Sequence, residues 1–251
     1  MKKLPSLVCA LALVLGPAAP AVAQTSDHEV PLAGAATVRI NVSGSIHVTF
    51  DSAATSVKIH SIDRGPSSPP LKVASGKAGS RLTITITGPA ASMLPFNGES
   101  GYETQVTVPA GASLDLREFS GHVQIDRIAS PTQVYDAEGT IDVGQAAAPL
   151  TAEADAGDIT VAGADSTLNL TAGTGNIVAR LNAGWHGQQV RLETTKGNMK
   201  LTAPPDLRAS FDLTSAGGTV TNPLHSTPHA PSVFMLAEQG NIAIATATPS
   251  P

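Results

Sequence analysis

Aromatic residues make up only 3% of this 251-residue chain, charged residues only 14%, and cysteine occurs once, at position 9. Each shortage excludes something. A single cysteine forms no intramolecular disulfide, so stability has to come from packing alone. Fifteen Lys+Arg against 20 Asp+Glu supply no cationic face to neutralise phosphates, which excludes nucleic acid as a partner. After residue 23 no apolar run approaches the ~18 residues that a spanning helix needs, so no membrane span is expected. What the chain does have is glycine (23), proline (19) and enough aliphatic residues to bring its apolar share to 41%. That share permits a core and argues against wholesale disorder.

The first 23 residues read as a Sec-type signal peptide. Lys2 and Lys3 are its positive end, Leu4 to Leu15 its apolar stretch, and Gly16-Pro17 a break. Ala21-Val22-Ala23 supplies the small-x-small cleavage pattern. An apolar run of about 12 residues is too short to anchor in a membrane. Cys9 follows Val8 and lies too close to Lys3 for lipidation. Cleavage after Ala23 removes Cys9 and two lysines, leaving a net charge of −7. A periplasmic or extracellular location is expected.

From Leu114 onward one pattern recurs: apolar-x-apolar, four spacers, Gly, x, apolar, x, apolar. Its instances are 114–125, 132–143, 150–161, 168–179, 190–201, 211–222 and 233–244. The anchor glycines are Gly121, Gly139, Gly157, Gly175, Gly197, Gly218 and Gly240, spaced by 18, 18, 18, 22, 21 and 22 residues. Alternation of period two marks strands with one buried face, and no segment after the leader carries the i, i+3, i+4 spacing of a helix. A period of 18–22 residues with two short strands suits one coil of a solenoid. The fold class expected is therefore all-β, a single-stranded β-solenoid.

Three columns should point inward. Two residues after each glycine stand Val123, Ile141, Ile159, Ile177, Met199, Val220 and Ile242, and four after stand Ile125, Val143, Val161, Ala179, Leu201, Asn222 and Ile244. Five before come Leu116, Val134, Ala152, Leu170, Leu192, Leu213 and Met235, so Asn222 is the only polar member. Directly after the glycines stand His122, Thr140, Asp158, Asn176, Asn198, Thr219 and Asn241. Such side chains at one turn site predict a hydrogen-bonded polar ladder. The glycines themselves should stack, where the chain turns or repeats approach closely.

The first half is less regular. Val38–Phe50, Val57–Ile62, Leu71–Val73, Leu82–Thr87 and Thr104–Val108 read as strands; Gly65–Pro70 and Gly88–Gly101 read as loops. Residues 24–35 are expected to be an N-terminal extension, 36–246 one domain capped by its first strands, and 247–251 a disordered tail.

Val106-Thr107-Val108-Pro109-Ala110-Gly111, Leu114-Asp115-Leu116 and Ser120-Gly121-His122-Val123 follow a family's "VP-x-G…L-x-L…S-G-x-V" run. Ala156-Gly157-Asp158-Ile159 and Thr174-Gly175-Asn176-Ile177 match its recurring G-D/N-I step. Over residues 36–246 the chain resembles the putative adhesin family of exported bacterial proteins, an adhesin-like β-solenoid domain of unknown function. The resemblance implies the architecture and an envelope setting, and carries over no catalytic residue.

No chemical motif stands out. G-x-S-x-G, Walker A and H-E-x-x-H are absent. His225 and His229 sit among Pro223, Pro228 and Pro231, a loop rather than a zinc site. No catalytic, metal or cofactor residue is assigned, and the binding residues stay open. One anomaly remains. Between Arg127 and Arg180 there is no basic residue, yet Asp136, Glu138, Asp142, Glu153, Asp155, Asp158 and Asp165 all fall there. A solvated acidic face is expected, weak cation binding being a second reading. Asp142, Glu153, Asp155 and Asp158 should then lie within reach of each other's fields. The expected function is a non-enzymatic exported envelope protein, a monomer with a flat surface for an envelope or surface partner. The alternative is a carbohydrate-active β-helix enzyme using the stretch 136–165.

Overall fold

The computed structural model describes residues 24–63, 71–87 and 102–247. The leader, both predicted loops of the first half and the tail beyond Ala247 lie outside the described residues. Those residues are all-β, with twenty strands in one open, mixed sheet. Among the described residues no helix is long and apolar enough to cross a membrane.

The sheet is organised as two ladders. From one edge, the first ladder runs β5 (Lys72–Ala78), β6 (Arg81–Thr87), β2 (Thr37–Val42), β8 (Ser113–Glu118) and β10 (Thr132–Ala146). It continues through β11 (Leu150–Ala156), β13 (Leu168–Thr174), β15 (Gln189–Lys196), β19 (Ser232–Gln239) and β17 (Ser210–Ser215). The second ladder begins with β1 (Gln24–Pro31), β4 (Ser56–Asp63), β7 (Tyr102–Pro109), β3 (Ile46–Asp51), β9 (Gly121–Ile128) and again β10. It ends with β12 (Ile159–Ala164), β14 (Ile177–Leu181), β16 (Met199–Ala203), β20 (Ile242–Thr246) and β18 (Val220–Thr221). The pairs β1–β4, β4–β7 and β5–β6 are antiparallel, and all others are parallel. Parallel neighbours need a crossover between them. Here the crossover is the other strand of the same repeat, which pairs in the opposite ladder.

The inward columns follow the predicted register. Ile141 pairs Val123 and Ile159, and Val134 pairs Leu116 and Ala152. From the instances 114–125 through 190–201 and from 233–244, every member of the three columns is at most 3% exposed. Ala, Val, Ile and Leu alternate along them, so side chains of modest volume close the space between the ladders without aromatic bulk.

The order of the stack departs from chain order at both ends. At one end β19 and β20 insert between β15–β16 and β17–β18, so the instance 233–244 is internal and 211–222 is outermost. Composition explains this. The internal instance offers Val233, Met235, Ala237, Ile242 and Ile244, all buried. The outer one carries Asn222, whose side-chain oxygen caps the Leu224 N–H at 3.0 Å. Val220 is 44% exposed and Leu213 only partly buried, so these columns end one instance earlier than the sequence pattern indicates. At the other end β2 and β3 sit between β6–β7 and β8–β9. Val38, Ile40, Ile46 and Val48 extend the same core, although their repeat has one spacer fewer before Gly44.

The anchor glycines stack. An ideal Cβ on Gly157 would lie 1.5 Å from the Gly139 carbonyl oxygen, and one on Gly240 would lie 1.7 Å from that of Gly197. Gly157 also has φ +149°, a conformation that side chains disfavour. Beside this column runs the polar ladder. Asp158 Oδ1 accepts from the Asn176 N–H (2.7 Å), Asn176 Oδ1 from Asn198 (3.0 Å), Asn198 Oδ1 from Asn241 (3.0 Å) and Asn241 Oδ1 from Thr219 (2.9 Å). Its last two links follow the exchanged order, Asn241 before Thr219.

Candidate functional site

The seven acids of 136–165 do not share one face. Asp136 is fully buried, three residues before its glycine, stacked on the equally buried Glu118. Glu118 Oε1 accepts from the Gly44 N–H (3.0 Å) and the Ser120 N–H (2.7 Å), and Asp136 Oδ1 from the Glu138 N–H (3.1 Å). Glu118 Oε2 and Asp136 Oδ2 are buried with no donor from any other described residue. Burial, then the hydrogen bond with Glu118 and that carboxylate's charge, push the Asp136 carboxyl up to about 8. Gly139 leaves room for it, since a Cβ there would stand 2.6 Å from Asp136 Oδ2.

The other acids disperse. Asp142 lies on the outer side of the second ladder and the exposed Glu153 on the outer side of the first, with the apolar core between them. The Tyr135 hydroxyl donates to Asp155 at 2.6 Å, which raises the phenol's pKa. Asp158 starts the asparagine ladder. Asp165 accepts from Gln145 Nε2 (2.8 Å) and Asn182 Nδ2 (2.9 Å). The expected cluster of four therefore does not form: Glu153 and Asp155 share the outer face of β11 beside Tyr135, while Asp142 lies on the other ladder and Asp158 at the turn. Among the described residues no three His, Cys, Asp or Glu side chains are grouped to hold a metal ion.

A different set of side chains is brought together. Across seven adjacent strands of the second ladder, one register row reads Asp27, His60, Gln105, His47, Gln124, Asp142 and Thr160. None is buried, and at ~4.8 Å per strand the row spans roughly 29 Å. Imidazole–carboxylate pairs tie strands together along it. His60 Nδ1 is 2.6 Å from Asp27, His47 Nε2 is 2.8 Å from Asp126, and His122 Nε2 is 3.7 Å from Asp142. Two open hollows interrupt the face. One, of about 500 Å³, is lined by Asp27, Glu29, Lys58, His60, Gln105 and Thr107. The other, of about 490 Å³, is lined by His122, Gln124, Asp126, Asp142 and Thr160 over a floor of Ile125, Val143 and Gly144.

Sequence reasoning missed this row because its members come from β1, β4, β7, β3, β9, β10 and β12, far apart in the chain. The local signal was present in Ile46-His47-Val48, Ile59-His60-Ser61 and Val123-Gln124-Ile125, where the polar residue faces away from the core. Of the histidines that the sequence singled out, His225 and His229 lie on the connection between β18 and β19, both exposed.

No family model matches the chain, and no curated protein sequence does. Solved structures do. A putative adhesin from Bacteroides fragilis shares 13% identity over 89% of this chain and 97% of its own, with a TM-score of 0.50. A putative cell adhesion protein from Clostridium sporogenes shares 12% over 90% and 100%, with a TM-score of 0.43. A putative lipid binding protein from Parabacteroides distasonis shares 10% over 87% and 96%, with a TM-score of 0.37. At such identities the likeness concerns the fold, and the Bacteroides fragilis protein is the one of these three with which this chain shares its architecture.

Proposed function

We propose that this protein is exported behind a cleaved leader and acts as a non-enzymatic binding module of the cell envelope or cell surface. In this reading residues 36–246 form one β-solenoid with 18–22-residue coils, and β1 with β4 caps one end. The supporting observation is the outward row from Asp27 to Thr160: seven hydrogen-bonding side chains on seven adjacent strands. Such a row faces an extended ligand along its length, because donors and acceptors recur at each strand while the backbone beneath is fixed by continuous strand pairing, antiparallel at β1–β4–β7 and parallel from β7 onward. The name of the Bacteroides fragilis protein, a putative adhesin, is in keeping with adhesion, and the family resemblance points the same way.

Beads coated with the protein test this. They should be retained on intact bacterial cells or on purified envelope polymers. Retention should fall at least tenfold for the combined variant His47→Ala, His60→Ala, Gln105→Ala and Gln124→Ala, whose folding is verified by its melting curve. Retention unchanged in a folded variant, or no retention of the wild type on either support, would overturn the reading.

A further inference from the structure

The longer glycine spacings of the C-terminal half have one structural location. Between a strand of the second ladder and the next of the first, three residues suffice from β9 to β10, from β10 to β11 and from β12 to β13. From β14 to β15 the connection is residues 182–188, from β16 to β17 it is 204–209, and from β18 to β19 it is 222–231. The extra residues thus all fall at one corner of the stack. Insertions into repeat arrays collect on one face, often the face that binds.

These three connections enclose a hollow of about 250 Å³ that includes Trp185, His186, Asp206, Leu207, Arg208 and Pro231 in its wall. Trp185 is the only tryptophan of the chain. Its indole is held, with Nε1 donating to the Ser166 carbonyl at 2.8 Å. Gly187 makes room for it, since a Cβ there would stand 2.6 Å from the ring. The ring is half-buried, while His186, Asp206 and Arg208 are exposed. Their side chains make no hydrogen bond or ion pair among the described residues. Arg39, His47 and His60, by contrast, are engaged, with Asp115 at 2.5 Å, with Asp126 and with Asp27. The exposed Arg127 and Arg180 are as free as Arg208 but stand beside no aromatic ring and no hollow among the described residues. A fixed aromatic plate surrounded by uncommitted donors and acceptors is what a polyol ring requires. The plate takes its C–H face, guanidinium and imidazole donate to hydroxyl oxygens, and a carboxylate accepts from hydroxyl hydrogens. The volume lies just below the ~300–1,000 Å³ of sites for drug-sized ligands, which suits a single ring.

We propose that this corner hollow is a carbohydrate-binding site, with Trp185 stacking on one sugar unit and His186, Asp206 and Arg208 bonding its hydroxyl groups. It is separate from the row on the second ladder and independent of the function assigned to that row.

Because Trp185 is the sole tryptophan, the indole emission of the full chain reads this site directly. Titration with glucose, galactose, mannose, N-acetylglucosamine, glucuronic acid and their short oligomers should give a saturable change with at least one of them. Asp206→Asn and Arg208→Gln should each weaken that binding at least tenfold with the melting temperature unchanged. The His47/His60/Gln105/Gln124 variant should titrate like wild type. No saturable change with any sugar to 50 mM, on the order of the weakest affinities worth calling binding, overturns the proposal. So does a change that survives both substitutions, or one produced by charged peptides and by no sugar.

Discussion

Two residues carry most of what can be tested at the smallest scale. Gly157 has a positive φ, and its neighbour's carbonyl oxygen occupies the space a Cβ would need. Relief requires moving the backbone of the adjacent repeat. Gly157→Ala should therefore cost at least about 3 kcal/mol, measured by urea unfolding. Gly111→Ala, where a Cβ meets nothing within 4 Å, should stay within about 0.5 kcal/mol of wild type. Asp136 makes a second case. Its carboxyl titrates at about 8 when folded, against an ordinary 3.8, so the folded chain holds this proton more tightly than the unfolded one. The stabilisation is complete below about pH 3.8, declines as pH rises, and is gone above about pH 8, with a slope of up to about 1.4 kcal/mol per pH unit. Glu118 on β8 and, more weakly, Asp155 on β11 oppose its ionisation, and the Glu138 N–H favours it. The difference in stability between wild type and Asp136→Asn should change steeply between pH 5 and 8. A constant difference over that range would show that no proton is held there.

At the scale of elements, the exchanged order of the last two instances makes a prediction that chain order reverses. Met235 on β19 is fully buried between β15 and β17, whereas Leu213 on β17 lies at the edge and is only partly buried. Met235→Ala should cost 2–5 kcal/mol, as at other core sites, and Leu213→Ala less than about 1.5 kcal/mol. Were the repeats stacked in chain order, Leu213 would be internal and the larger loss would fall on it. The same edge explains why β18 spans only Val220–Thr221. A strand paired on one side gains little from a further residue, and Asn222 gains more by capping the following turn.

For the whole molecule, the dispersal of the acids decides how it answers to ions. Asp142, Glu153, Asp155 and Asp158 stand on different sides or are engaged by Tyr135 and Asn176. Divalent cations should then act on this chain no more strongly than by screening. Millimolar Ca²⁺ should raise the melting temperature no more than NaCl of matched ionic strength. A Ca²⁺-specific rise abolished by Asp155→Asn with Asp158→Asn would reveal a site, since an ion bound only to the folded state stabilises by mass action.

The sequence by itself determined the strands of the second half, their register and their buried side. Those depend on period-two alternation about a fixed glycine, and each repeat bears the same pattern regardless of where it sits. It also disclosed the asparagine ladder, because stacking in register brings like positions together. Only the tertiary structure decided which repeat lies beside which. Pairing by register is equally good for 211–222 and 233–244, and the choice falls to how much apolar surface each can bury on two sides. The tertiary structure likewise turned Asp136 inward against Glu118, where the acidic stretch was expected on a solvated face. It also assembled the row on the second ladder and the Trp185 corner from strands and loops distant in the chain. Such neighbourhoods arise from the packing order, which no local pattern encodes.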